Sequence, residues 1–434
     1  MHSKALAWWR DSLSSYWRDI SWVASGTVIA QAISLLSMPL LTRLYDPAAF
    51  ASLSIFTQLA ALAAVVLTLR FEYALPLPRR RLDAVALLWL VVALGAAGAL
   101  LWTGVAALLA PQLAGMLSSE SALLWLLAPL TGMLISLAVA TQYFAQRQLN
   151  YRRIGIAEVG NKVVYLLTAL LGLWLLPSPA GLLLAVGAGA LGKTLLLASP
   201  DSLERWRGRR RRARAWARLL LRNAARYRGL SASMVGSHLM LTLTGLIPSL
   251  YVAQAFGADT LGQMALVIST TYLPSALIGA AVGQVYFQRA AQRWAQGQDF
   301  AELWRITARK LALIGLPIYA GLALVAPWVY PIVFGAQWQL AGQFASIMSL
   351  SAFLSFLTTP LDRSCIVAGA WRYIPLWHFG RLASTVAVVA LSRWLDWSAT
   401  TFIIALTLQM SLLYLIDFFA ERAFASMRNS GARS

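Results

Sequence analysis

Runs of apolar residues about twenty positions long, almost free of charge, recur along the whole chain. A helix that rises ~1.5 Å per residue needs about 20 such residues to cross a hydrocarbon core ~30 Å thick. The pattern therefore predicts an all-α integral membrane protein with about twelve transmembrane helices. The twelve predicted spans are residues 21–41, 49–69, 82–110, 121–145, 154–176, 180–198, 230–255, 261–285, 311–330, 340–360, 374–391 and 398–418.

Several connections between these spans are short and carry turn-forming residues, for example at 177–180 and 256–260. Neighbouring helices are therefore expected to run antiparallel. Composition agrees with a membrane protein: 59% of the residues are hydrophobic, 12% are charged, and the mean hydropathy is +0.66. The single cysteine, Cys365, excludes an internal disulfide, and the sequence shows no Cys/His pattern of a metal site. The first twenty residues do not read as a cleavable signal peptide.

The net charge of +20 follows from topology. Of the 36 basic residues, 31 fall on one set of alternating connections, and only Arg43 and Arg393 fall on the other. Because basic residues accumulate on the cytoplasmic side, this asymmetry predicts that both termini are cytoplasmic.

The densest basic segment, residues 205–229, contains eleven arginines. A stripe of arginines recurs every four residues, while the large apolar side chains fall away from it. The stripe is Arg210, Arg214, Arg218, Arg222 and Arg226, and the apolar side chains are Trp216, Leu219, Leu220 and Tyr227. The pattern predicts an amphipathic helix lying on anionic lipid headgroups. A protein partner is an alternative, and a nucleic acid is disfavoured because the segment links two sets of membrane spans.

The position of this segment indicates two halves: a six-helix bundle at 1–198, the Arg-rich linker at 199–229 and a second bundle at 230–434. An internal similarity supports this division. Residues 151–175 align with residues 371–395 at an offset of 220, with Gly160 matched to Gly380 and Trp174 to Trp394. The match pairs the fifth helix with the eleventh, which is a parallel repeat typical of transporters.

Few ionisable residues lie inside the spans, where they are costly and often functional. The cations are Lys162, Lys193 and Arg381, and Glu158 is expected to pair with Lys162 one turn away. A cavity lined by cations with almost no carboxylates favours an anionic cargo such as a phosphate or pyrophosphate. Lysine and arginine can also snorkel to the interface. His238 and His378 are titratable candidates or packing residues, and Asp417 lies near the end of the last span.

Polar residues inside the spans are a second set of candidates. Gln31, Gln142 and Asn161 could bind sugar hydroxyls or join helices by hydrogen bonds.

Five segments of the sequence resemble a known family. They are "LPSALIGAAVGQVYFQRAAQRWAQG" at 273–297, "GTVIAQAISLLSMPLLTRLYDPAAFASLSIF" near the start, "TLRFEYALPLP" from Thr68, "FAQRQLNYRRIGIAEV" from Phe144 and "APWVYPIVFGAQWQLAGQFASIM" from Ala326. The chain resembles the Wzx-type flippases of lipid-linked oligosaccharides, which are polysaccharide biosynthesis proteins. They share a superfamily, named MOP, with multidrug exporters and the lipid II flippase.

This resemblance implies a bacterial inner-membrane transporter with two six-helix bundles of the MATE-like fold. It would carry an undecaprenyl-pyrophosphate-linked repeat unit, as in O-antigen synthesis, from the cytoplasmic to the periplasmic leaflet, and polysaccharide polymerase or assembly proteins become expected partners. Such a flippase is not an enzyme and needs no cofactor beyond a coupling ion, H+ or Na+. The implied ion-coupling candidates are Glu158, His378, His238 and Asp417.

Within this picture Lys162 and Arg381 are the main predicted contacts of the anionic headgroup. Lys193, Arg70 and Arg147 are secondary guides, and Arg70 with Glu72 is expected at the cytoplasmic end of the second helix, as an entry contact or as an interfacial ion pair. The alternatives are a small-molecule antiporter of the same superfamily and a membrane-embedded polymerase or ligase, which the short predicted periplasmic loops disfavour.

Overall fold

The computed structural model describes residues 22, 25–113, 119–176, 179–198 and 213–427. Within these residues the secondary structure is helical, and twelve helices are long and apolar enough to cross a membrane, which confirms the predicted fold class. The helices, in chain order, are α1 Ser25–Leu44, α2 Pro47–Thr68, α3 Arg81–Leu113, α4 Ser119–Arg147, α5 Tyr151–Leu175, α6 Ala180–Leu197, α7 Ala213–Phe256, α8 Ala258–Ala295, α9 Ala301–Phe334, α10 Gln339–Thr358, α11 Tyr373–Trp394 and α12 Ala399–Ala425.

Local signals in the sequence set several helix ends. The side chains of Asn150 and Ser398 accept hydrogen bonds from backbone N–H groups at the starts of α5 and α12, as N-caps do. Gly257 and Gly335 have φ of 91° and 115°, values that favour glycine, where α7 and α9 end. Helix α8 is interrupted at Tyr272, so that Ala258–Thr271 and Leu273–Ala295 form two segments.

The chain forms two compact units, and the boundaries between them fall within α1, α2 and α7. The first unit contains residues 1–38 and 55–242, and the second contains 39–54 and 243–434. The predicted division at 198 and 230 follows chain order, whereas packing places the turn between α1 and α2 in the second unit. There Gln337 and Trp338 donate hydrogen bonds of 2.7 and 2.9 Å to the carbonyl of Thr42. These bonds satisfy a carbonyl at the end of α1 that has no partner within the helix.

The order of helix packing is the same in both units. In the first unit α3 packs on α4, α4 on α6 and α5 on α6. In the second unit α9 packs on α10, α10 on α12 and α11 on α12. Each pair of the second unit is therefore the pair of the first unit advanced by six helices, as the parallel repeat predicts.

Glycines permit close helix approaches within the first unit. An ideal Cβ on Gly132 of α4 would lie 2.6 Å from the carbonyl oxygen of Ala60 in α2. On α6, a Cβ on Gly189 would lie 2.9 Å from the carbonyl oxygen of Asn161 in α5. Small residues at such crossings let helix backbones pack closely where lipid offers no hydrophobic driving force.

Residues 205–212 of the Arg-rich segment lie outside the described residues, and the remainder continues directly into the seventh span as part of α7. The sequence predicted that the apolar face of this segment lies on lipid headgroups, but in the structure this face packs on protein. Trp216, Leu220 and Tyr227 pack on a cluster in the first unit that contains Phe71 and Leu88. Packing onto a protein surface buries this apolar stripe because α7 and the start of α3 are neighbours, which the pattern of one helix cannot reveal.

Candidate functional site

Two groups of charged residues lie in the first unit, and a cavity with charged walls lies in the second. The first group surrounds Arg70, where α2 ends. Leu69 and Arg70 have φ of 49° and 57°, in the left-handed region that non-glycine residues rarely adopt. The hydroxyl of Ser231 donates to the carbonyl of Leu69 at 2.5 Å and helps to hold this turn. Strained backbone of this kind persists where the surroundings determine it strongly.

Arg70 and Glu72 form a buried ion pair. Arg70 Nη1 lies 3.1 Å from Glu72 Oε1, and the side chain of Glu72 is fully buried. Glu72 Oε2 also accepts a hydrogen bond from the Thr68 hydroxyl at 2.9 Å. Because Glu72 neutralises Arg70, this pair is better suited to holding the turn than to binding an anion. Arg70 Nε is nonetheless buried with no hydrogen-bond partner among the described residues.

His238 joins this group through Tyr73. The Tyr73 hydroxyl lies 2.9 Å from His238 Nε2, and His238 Nδ1 lies 2.9 Å from the carbonyl oxygen of Met234. A carbonyl only accepts, so the proton is assigned to Nδ1 and the Tyr73 hydroxyl donates to Nε2. His238 therefore has both ring nitrogens engaged in holding α7 against the turn after α2.

The second group lies between α5 and α6, and one prediction about it was wrong. Glu158 does not pair with Lys162 on its own helix. Glu158 Oε1 lies 2.6 Å from Lys193 Nζ, across the helix interface, with both side chains largely buried. Gly189 and Gly192 on α6 approach Asn161 and Val164 on α5, which brings Lys193 within reach.

Lys162 is left without a carboxylate at ion-pair distance among residues 25–113, 119–176, 179–198 and 213–427. It lies one turn from Glu158, so the group of two lysines and one glutamate carries a net positive charge. An anion that approaches α5 would find this lysine available for a charge-assisted hydrogen bond.

The cavity of the second unit has a volume of about 310 Å³ and is formed by α11, α12 and the connection between α10 and α11. Its charged and titratable walls include Asp362, Arg363, His378, Arg381, Asp417 and Glu421. The expectation of a cavity with almost no carboxylates was therefore wrong for this unit, where three carboxyl groups accompany two arginines. The sequence reading missed Glu421, although its spacing of four residues from Asp417 places both on one face of α12.

Each buried carboxyl group in this cavity accepts a hydrogen bond. The Tyr373 hydroxyl donates to Asp417 Oδ1 at 2.9 Å, and the backbone N–H of Cys365 donates to Glu421 Oε2 at 2.9 Å. Arg381 Cζ lies 6.0 Å from the centre of the Tyr414 ring. Its Nε is buried without a hydrogen-bond partner among the described residues. The structure thus brings three predicted residues to one cavity: His378, Arg381 and Asp417.

Asp362 lies in the connection before α11, outside the membrane-spanning helices. Surrounding protein desolvates its carboxyl group and raises the pKa to about 6, although the charge of Arg363 opposes the shift. Asp362 is exposed at the wall of the cavity.

The other predicted residues take different places. Arg147 donates to the carbonyl oxygens of Pro76 and Arg79 at 3.4 and 3.1 Å and also bonds the carbonyl of Pro78. It therefore holds the connection between α2 and α3. Gln31 and Gln142 are half-buried on α1 and α4, and the backbone of Asn161 lies at the α5–α6 crossing. Their roles toward a substrate stay predictions.

The comparisons with known proteins agree with this architecture. The lipid II flippase MurJ, in an inward closed conformation, superposes with a TM-score of 0.60 at 11% identity, covering 91% of this chain and 87% of that one. A multidrug resistance MATE family transporter of the MOP superfamily, facing inward, gives a TM-score of 0.55 at 13% identity and covers 93% and 95%. These similarities show that the chain shares the fold of these two proteins.

The sequence matches are more specific. The model of the polysaccharide biosynthesis protein family matches residues 40–342, and the chain belongs to this family. The teichuronic acid biosynthesis protein TuaB of Bacillus subtilis (strain 168) is 22% identical over 241 residues. That match covers 56% of this chain and 48% of the relative, so it spans about half the length of each. The protein is therefore a multi-pass inner-membrane member of the polysaccharide biosynthesis protein family.

Proposed function

We propose that the protein moves oligosaccharide repeat units linked to undecaprenyl pyrophosphate from the cytoplasmic to the periplasmic leaflet, by alternating access coupled to an ion gradient. The family supports a glycan cargo, and the fold is shared with a protein named as a lipid II flippase. The observation that carries the proposal is Lys162, a half-buried cation in α5 with no carboxylate at ion-pair distance among the described residues. A pyrophosphate group would supply the missing negative charge.

The test uses purified protein in liposomes with a fluorescent undecaprenyl-pyrophosphate oligosaccharide in one leaflet. A charge-assisted hydrogen bond contributes about 1.5–3 kcal/mol, so K162Q should lower the initial transfer rate roughly tenfold to a hundredfold. The exposed lysine Lys310 in α9 provides a matched control, and K310Q should transfer at the wild-type rate. Equal rates for K162Q and the wild type would reject Lys162 as the contact. Absence of transfer by the wild type under every imposed gradient would reject the flippase.

Arg381 and Asp417 are the proposed contributors from the second unit. Arg381 would contact the anionic headgroup when the cavity is open to it, and Asp417 would take up the coupling ion, H+ or Na+. The variant D417N should transfer substrate in the absence of a gradient but should lose acceleration by a pH or sodium gradient. Acceleration equal to that of the wild type would exclude Asp417 from coupling.

The acidic cavity supports a second candidate function, a small-molecule antiporter. Its carboxyl groups stand beside the aromatic rings of Tyr373, Trp377 and Tyr414, and aromatic faces together with carboxylates bind organic cations. Uptake of labelled tetraphenylphosphonium into the same liposomes, lost in D417N, would favour this function. No uptake alongside transfer of the lipid-linked glycan would favour the flippase.

A further inference from the structure

The exposed arginines of α7 form a rigid basic surface at the edge of the first unit. Arg218, Arg222 and Arg226 repeat at intervals of four residues and are exposed, whereas the apolar side of the same helix is packed against the unit. The arginines therefore lie on the exposed side of a helix whose other side packs on the unit. We name Arg218, Arg222, Arg226 and Arg228, with Arg79, Arg80 and Arg81 before α3, the basic face.

A hydrogen bond fixes the position of the basic face along α3. Asn223 Nδ2 donates to Asp83 Oδ1 at 3.4 Å, and Asp83 is the third residue of α3. Along the helix axis, Asn223 therefore lies beside the start of the apolar span of α3. At 1.5 Å per residue, Arg218, Arg222 and Arg226 all lie within about 7.5 Å of that level along the helix axis.

The connection from α2 to α3 brings further positive charge to the same place. Arg79, Arg80 and Arg81 are exposed, and Arg147 bonds the carbonyls of this connection. Two other basic residues of the unit bond its own backbone. Arg147 bonds this connection, and Arg153 donates to the carbonyls of Leu196 and Ala198 at 2.5 Å. The residues of the basic face are exposed on the surface of the unit.

We infer that the basic face binds the phosphate groups of anionic glycerophospholipids at the membrane surface. Guanidinium groups match phosphate oxygens in geometry and charge. The face lies within about one Debye length, ~8–10 Å, of the start of the apolar span, so the charges of the lipids act on it with little screening. The bound lipids would hold the start of α7 and the α2–α3 connection at a fixed depth. This inference does not depend on the cargo of the transporter.

The test compares variants of full-length protein by native mass spectrometry in detergent, with dioleoyl phosphatidylglycerol or dioleoyl phosphatidylcholine added. The wild type should bind phosphatidylglycerol more tightly, and added salt should weaken the difference. Each arginine near an anionic surface contributes about fivefold in affinity, so R218Q/R222Q/R226Q should lose tenfold or more. The control R289Q/R309Q/K310Q removes three exposed charges from the second unit and should change the affinity less than twofold.

A triple lysine variant, R218K/R222K/R226K, keeps the charge and should retain most of the binding. If the glutamine triple does not fold, R222Q alone carries the test and should lose about fivefold. Equal binding of the two lipids by the wild type would overturn the inference, as would an unchanged affinity in the glutamine variants. Displacement of the lipid by micromolar inorganic pyrophosphate would also overturn it, because the face would then recognise pyrophosphate and not a phospholipid.

Discussion

Glu158 Oε1 lies 2.6 Å from Lys193 Nζ, so one ion pair joins α5 to α6 at a depth where both side chains are largely buried. Removing one member leaves a charge without its partner in a poorly hydrated place, which costs more than losing an exposed pair. We expect E158Q and K193M each to lower the free energy of unfolding by about 2 kcal/mol.

Thermal unfolding in detergent checks this prediction through a double-mutant cycle. The double variant E158Q/K193M should be more stable than the sum of the two single losses implies, because neither charge is left unpaired. Strictly additive losses would show that the two side chains do not interact. The exposed pair Arg305–Glu302, with an N–O distance of 2.7 Å, is the matched control, and its variants should change stability by less than about 1 kcal/mol.

The buried pair of Arg70 and Glu72 leads to a second prediction. Glu72→Ala leaves the Arg70 guanidinium buried without its carboxylate, and we expect a loss of about 3–5 kcal/mol. The double variant R70M/E72L replaces both charges with apolar groups and should lose much less. Chemical unfolding followed by circular dichroism measures both, and a double variant that is as unstable as E72A would show that the charges themselves are needed for the turn.

Asp362 leads to a pH prediction. Its pKa is raised from 3.8 to about 6 by desolvation, so the folded protein holds this proton in a range where the unfolded chain releases it. The contribution of this group to stability is therefore complete below about pH 3.8 and is lost as the pH rises through about 6. Melting temperatures of the wild type and D362N, recorded from pH 4 to 7, should differ in slope, with the wild type losing more stability as pH rises. Parallel curves would contradict the shift.

The crossing of α2 and α4 at Gly132 leads to the fourth prediction. A Cβ at this position would meet the carbonyl oxygen of Ala60 at 2.6 Å, so G132A forces the helices apart and should cost about 1–3 kcal/mol. Gly321 in α9 has open space around its Cβ direction and serves as the control. We expect G321A to be neutral or to stabilise by up to about 1 kcal/mol through helix propensity. If G132A and G321A changed the melting temperature equally, the close packing at Gly132 would be contradicted.

The sequence alone determined the number and order of the membrane-spanning helices. Hydrocarbon thickness fixes their length, and unpaired backbone groups cannot face lipid, so a run of about 20 apolar residues has one structural solution. The parallel relation between the fifth and eleventh helices was also readable, since both helices keep matching glycine and tryptophan positions. Arg381 and Asp417, which line the cavity of the second unit, were candidates for a similar reason, because an ionisable residue inside an apolar span stands out from its neighbours.

Only the tertiary structure decided which charges meet. Glu158 has Lys162 one turn away on its own helix. The close crossing of α5 and α6 nevertheless brings Lys193 to Glu158, so Lys162 has no carboxylate at ion-pair distance among the described residues. The carboxyl groups of Asp362 and Glu421 come from a connection and a helix that no local pattern joins. In the same way, the apolar stripe of α7 predicts that this face is buried. Only the tertiary structure shows that it packs on α3 and not on lipid. Periodicity along one helix fixes which residues share a face, whereas the partner of that face depends on packing between helices distant in sequence.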